Sequence, residues 1–262
     1  MTGPLALEGV LRRDRWVVGA CLLVIVALSW SWLFPAARDM YGAMDGLSAW
    51  MMAATWDAGY AFRIFLMWTV MMVAMMLPSA APAILIVARV LRNAGPSHSP
   101  VARTNLFVAG YLVVWTAFSA AATAAQALTA WLAWTNPMME SASPWFGAAV
   151  LVAAGAWQFT AAKRACLTRC RSPAQFIAEH WRPGAAGALR MGIAHGVYCV
   201  GCCWALMALL FVGGVMNLAC IGAIALFVLV EKVAPLSFRA APLAGAALIV
   251  AGVTVAARAA MI

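Results

Sequence analysis

Charge is what this chain has least of: a tenth of its 262 residues are Asp, Glu, Lys or Arg, and only eight are acidic. A soluble domain carries about a quarter charged residues, so that scarcity argues against an ordinary soluble fold. The net charge of +9 would suit nucleic acid if it were gathered in one patch. The basic residues are instead spaced between apolar runs, which argues against a nucleic-acid partner. No framework of paired cysteine spacings is present, and the seven cysteines, an odd number, read mostly as thiols. No histidine follows CxxCC at residues 199–203, so a c-type haem attachment is excluded. Sequence repeats, low-complexity tracts and a separate soluble domain are also lacking.

Apolar length is what is there. Two thirds of the residues are hydrophobic and the mean hydropathy is +0.93, the composition of an integral membrane protein. A hydrocarbon core of about 30 Å takes roughly 20 apolar residues in helix. By that measure the chain is an all-α, polytopic transmembrane helical bundle, one membrane domain over 1–262 with seven spans. They lie near 16–34, 62–90, 105–134, 145–162, 188–212, 215–230 and 241–257. Alternating the loops puts fourteen Lys and Arg on one side and three, Arg38, Arg63 and Arg258, on the other. The positive-inside rule then places the N-terminus in the cytoplasm. The first span, too long for a signal core, reads as an uncleaved anchor. The portion YGAMDGLSAWMMAATWDA of the outer segment 35–61 is expected to form a short interfacial helix.

The fifth span contains HGVYCVGCCW, residues 195–204. On a helix each residue advances about 100° and 1.5 Å, so Cys199, Cys202 and Cys203 lie about 40°, −20° and 80° from His195, on one broad face. Gly192 and Gly196 border that face and would let a neighbouring helix approach closely. His195 and Cys202 stand about 10 Å apart along a regular axis, too far to share one ion without distortion. Further ligands must come from another helix. One buried cysteine is ordinary core, but three within five positions beside an intramembrane histidine favour function over packing.

The second span reads MWTVMMVAMMLPSAAP, with Met67, Met71 and Met75 at helical spacing and Met72 and Met76 beside them. Methionine packs irregular cores well, so this stripe alone reads as core. Its neighbourhood changes the weighting. Other methionines gather toward the outer side, while Cys166 and Cys170, a CxxxC pair amid Lys163, Arg164, Arg169 and Arg171, fall in an inner loop. Nearby cations favour thiolate, and thioether and thiolate select monovalent copper over hard cations. A soft-metal path from outer methionines through the midplane cysteines to Cys166 and Cys170 is expected, its direction undetermined. Pro78 and Pro82 are expected to break the second span. Glu231 ends the sixth beside Lys232 as an interfacial ion pair, and His98 and His180 are expected to be solvated.

MWTVMMVAMMLPSAAP, CLTRCRSP, and RMGIAHGVYCVGCCWALMALLFVGGVMN followed by EKVAP together resemble a bacterial family of metal-binding integral membrane proteins, filed as a numbered domain of unknown function and sometimes labelled copper chaperones. The likeness covers roughly residues 60–235 and leaves out the first and last spans. It implies that Met71, Met72, Met75, Met76, Pro78, Cys166, Cys170, His195, Tyr198, Cys199, Cys202, Cys203, Asn217 and Glu231 occupy family motif positions.

Two functions compete, beside a third possibility of haem handling through His195 or a structural role in a larger membrane complex. The first is a membrane carrier or delivery protein for copper(I), with zinc and haem still open, passing metal to a chaperone or metalloenzyme partner. The second is a thiol oxidoreductase cycling a Cys199–Cys202 disulfide against a quinone. No second cysteine pair lies at the outer surface to receive substrate, so the carrier is favoured over the enzyme. Oligomeric state is left open.

Overall fold

The computed structural model describes residues 4–42, 46, 56–93, 100–234 and 240–261, with side chains from Val18 onward. Most of the expected interfacial helix, including Met44, Met51 and Met52, lies outside the described residues, as do His98 and Arg239.

Among the described residues the chain is helical, with no strand and one isolated bridge between Thr135 and Ser141. The helices in order are α1 (Pro4–Met40), α2 (Ala58–Asn93), α3 (Pro100–Trp131), α4 (Pro144–Trp157), α5 (Ala161–Arg171), α6 (Pro173–His180), α7 (Gly184–Ala208), α8 (Leu210–Gly213), α9 (Leu218–Val233) and α10 (Ala240–Ala259). An apolar solvent demands this, because each backbone N–H and C=O must be satisfied within its own segment. Local signals set the boundaries. Ser143 accepts from Phe146 N at the start of α4, Thr160 from Lys163 N at α5, and Asn217 from Ala219 N and Cys220 N at α9. Each places a side-chain oxygen on an otherwise unpartnered helix N–H.

Among the described residues, five segments are long and apolar enough to cross a membrane: Val18–Met40, Ala58–Arg92, Pro100–Trp131, Gly184–Gly213 and Ala240–Ala259. The pair α4 and α5, bent by 63°, makes a sixth if taken as one broken span. The expectation of seven spans is therefore corrected, and length is the reason. At 1.5 Å per residue, α4 with 14 residues and α9 with 16 reach only about 21 and 24 Å, short of a hydrocarbon core of about 30 Å. The partition of Lys and Arg across seven crossings loses its basis with that count.

The second span is the most deeply buried, while α1 and α10 face outward. Pro78 and Pro82 do not break it: α2 continues through both. Proline at 78 deprives the Ala74 carbonyl of its helical donor, and the Trp30 indole N–H of α1 supplies one at 3.3 Å. A neighbouring helix thus makes good what proline removes.

The expected close approach at Gly192 is present. A Cβ there would overlap the Phe107 carbonyl of α3, and one at Gly110 would overlap the Leu189 carbonyl of α7. The two helices touch backbone to backbone, as small residues permit in a bilayer. This contact brings Tyr111 of α3 against the thiol-bearing face of α7.

Candidate metal centre

The thiol-bearing face of α7 points inward. Cys199, Cys202 and Cys203 have no exposed surface, and His195 is 2% exposed. The helix stays regular through Gly196 and Gly201, so no local unwinding gathers its side chains. The Cys202 and Cys203 thiols donate to the Cys199 carbonyl at 3.1 and 2.9 Å.

Four other helices complete the surroundings. From α5, the Cys170 thiol adjoins those of Cys199 and Cys202. From α2, the Met76 thioether lies 3.8 Å from Cys203 Sγ. From α3, Tyr111 Oη is 3.1 Å from Cys199 Sγ and donates to the Met76 carbonyl at 3.0 Å. From α9, Lys232 Nζ donates to Cys199 Sγ at 2.9 Å and to Ser79 Oγ at 3.0 Å. Sulfur atoms of α5 and α2 thus lie beside the α7 thiols, on the other helices from which the rise of α7 requires any further ligand to come.

Glu231 departs from expectation. Instead of an interfacial pair with Lys232, it is fully buried and takes Lys163 of α5 on both oxygens, at 2.7 and 2.9 Å. Lys163 also bonds Gln158. The reason lies in helix geometry: Glu231 and Lys232 are consecutive, so their side chains diverge by about 100°. The loop cations expected to bias Cys166 and Cys170 are likewise engaged elsewhere. Arg164 donates to the Phe159 carbonyl, Arg171 to the Ala234 carbonyl, and Arg169 pairs with Glu179. Among the described residues, the cation that meets a thiol is Lys232.

The remaining candidates fall into separate places. His195 is enclosed by rings, with Phe107 and Tyr111 at 5.8 Å and Phe176 edge-on at 5.2 Å, and its Nδ1 has no hydrogen-bond partner among the described residues. Cys166 is half-buried against α7, where a Cβ at Gly201 would lie 2.6 Å from its sulfur. Met67, Met71, Met72 and Met75 are buried in the core, and the thioether that meets a thiol is Met76. Tyr198 bonds His180 at 3.4 Å, away from the cysteines, and Asn217 serves as the cap of α9. His180, expected to be solvated, is half-buried, stacked on Phe176 and bonded to its carbonyl.

Sequence reasoning missed Tyr111, Ser79 and Lys232. A signal existed for Lys232, since an ionisable residue beside an apolar run is functional by default; pairing it with its neighbour Glu231 hid it. Tyr111 and Ser79 carried no signal, because their roles depend on how α2 and α3 register against α7.

Chemically, the donor set is thiol and thioether, shielded from water and lipid, which suits a soft cation and offers little to a hard one. Among the described residues, no three His, Cys, Asp or Glu side chains already converge on a single point. Two of the thiols are turned toward the α7 backbone, and rotation about one side-chain torsion redirects each of them. Cavities of about 580, 360 and 260 Å³ are lined by other residues, so the thiols are sealed from these openings.

Searches of curated proteins and of solved structures each found no match. A family model described as PpoB2, copper chaperone, matches residues 65–255. The match takes in the methionine stripe, both cysteine motifs and the α9 lysine, and it reaches into α10, beyond the residue 235 at which the sequence resemblance stopped. Most of the chain, its buried sulfur cluster included, thus belongs to the PpoB2 copper chaperone family.

Proposed function

We propose that this protein binds copper(I) inside its helical bundle and delivers it to an acceptor, with Cys199, Cys202, Cys203 and Cys170 as thiol ligands and Met76 as a thioether. The observation that carries this reading is the 3.8 Å contact between the Met76 thioether of α2 and the Cys203 thiol of α7, with the Cys170 thiol of α5 beside the same face. Three helices bring sulfur together at a buried point, which packing alone does not require. Membership of a copper chaperone family supports copper as the cargo.

Cys166, Met71, Met75, Met67 and Met72 are read as stations along the route to and from the cluster. His195, set in its aromatic cage four residues before Cys199, is read as a neighbour that accepts a ligating or hydrogen-bonding role when the thiols rotate. The membrane is taken as the bacterial cytoplasmic membrane, from the sequence resemblance. The acceptor is a copper-requiring protein or a soluble metal carrier.

Elemental analysis of anaerobically purified protein tests the reading. Wild type loaded with copper(I) retains stoichiometric copper, whereas the Cys199→Ser, Cys202→Ser double variant loses it. Wild-type protein that stays metal-free after loading, with every thiol intact, contradicts the reading.

A further inference from the structure

Four cysteines do not by themselves choose copper. A set of thiolates is also the usual home of structural zinc, and zinc is abundant enough that ligand softness alone leaves the choice open. Something else in the pocket must separate a monovalent from a divalent ion.

The feature that does so is Lys232. Its side chain is buried at 7% exposure, and its Nζ is held between Ser79 Oγ and Cys199 Sγ. A buried cation needs a counter-charge, since transfer from water to a low-dielectric interior is costly when unpaired. The nearest carboxylate in sequence, Glu231, spends both oxygens on Lys163. Among the described residues no carboxylate forms an ion pair with Lys232, and beside Ser79 the atom that takes its hydrogen bond is the sulfur of Cys199. The bundle therefore carries two adjacent buried lysine contacts, Lys163 with Glu231 and Lys232 with Cys199, and the second sets the ammonium against one of the thiols proposed above as ligands.

We infer that Lys232 is the specificity-determining residue of the site, a fixed positive charge that admits a monovalent soft cation and rejects a divalent one. The inference rests on the copper reading above and deepens it. Charge counting shows why. With the ion held by two thiolates and the other two thiols protonated, one ammonium and one monovalent ion bring the sum to zero, whereas a divalent ion in that arrangement keeps one uncompensated positive charge. The repulsion between the ammonium and the metal doubles from monovalent to divalent at any given separation, and burial leaves little solvent to screen it. Ser79, which accepts from Lys232 and donates to the Met76 carbonyl at 2.8 Å, anchors the ammonium to the helix that bears the thioether. Lys232 thus stays at the cluster and does not swing away when metal arrives.

The test is competitive binding of Cu(I) and Zn(II) to the detergent-solubilised full chain, using a chromogenic Cu(I) chelator and a zinc-responsive dye. Wild type, Lys232→Met, Lys232→Gln and Lys232→Arg are compared. Wild type is expected to take Cu(I) and exclude Zn(II). Both neutral variants should raise zinc affinity relative to copper on the order of tenfold or more, while Lys232→Arg keeps the wild-type ratio. Glutamine retains a hydrogen-bonding head for Ser79, so it serves if methionine prevents folding. A structural role for Lys232 would weaken both metals together and leave their ratio unchanged. Either neutral variant, folded and with a wild-type ratio, overturns the inference, as does wild-type protein that binds Zn(II) as tightly as Cu(I). Wild-type protein that takes up no Cu(I) instead overturns the copper reading on which the inference stands.

Discussion

Cys199 is the residue where the helices meet: Lys232, Tyr111 and Cys170 all reach its sulfur. Those contacts differ in kind, and substitution separates them. Tyr111→Phe removes a hydroxyl that bridges Cys199 and the Met76 carbonyl. It should lower stability by about 1 kcal/mol, the ordinary worth of one such bond, while copper retention persists; chemical unfolding in detergent alongside metal analysis checks both. Tyr41 gives a pH signature away from the membrane core. Burial, and then its 2.9 Å hydrogen bond to Glu140, push its phenol up to about 12 from the usual 10. Because the folded value is the higher one, this contribution to stability is complete below pH 10 and fades as pH rises through about 12. Ultraviolet titration of wild type beside Glu140→Gln should show the ionisation of one tyrosine move to lower pH in the variant. At this scale the cysteines were legible, because angles on a single helix follow from residue spacing. Lys232 and Met76 were not placed, because which buried groups meet is decided between helices.

At the scale of the element, the contact of α3 with α7 determines whether the site assembles. Gly192 and Gly110 let the two backbones touch, and α7 is thereby held with its cysteines inward. Gly192→Val should destabilise the bundle by roughly 1–3 kcal/mol or more through overpacking against Phe107. Gly19→Ala on α1, where an added Cβ meets nothing within 4 Å, should be neutral or mildly stabilising as a helix-interior replacement of glycine. Thermal unfolding of the two variants in one detergent gives the comparison. The glycine spacing on α7 was legible in the sequence; its partner was not, since nothing in the order of residues says which helix packs there. The continuity of α2 through Pro78 and Pro82 was hidden for the same reason. The donor that rescues the freed carbonyl, Trp30, is 44 positions away.

For the whole molecule, apolar length gave helices where the described residues have them but counted seven crossings where five helices, or six with the bent pair, are long enough. Hydropathy registers α4 and α9 as apolar, yet each alone is too short to span; Glu231 near the end of α9 and Lys163 in the first turn of α5, just after α4, bond to each other in the interior. That ion pair ties α5 to α9 beside the thiols, and a sliding window sees its members as the ends of separate segments. The global design that results is a sulfur cluster supplied by α5, α7 and α2, closed by the hydroxyl of α3 and charged by the lysine of α9. Its central claim is that α5 and α7 close on one ion. Copper K-edge X-ray absorption of the Cu(I)-loaded chain measures this most directly. The expected result is a first shell of sulfur alone in wild type, with sulfur lost from that shell in Cys170→Ser. A shell dominated by nitrogen or oxygen, or a Cys170→Ser spectrum indistinguishable from wild type, would contradict it.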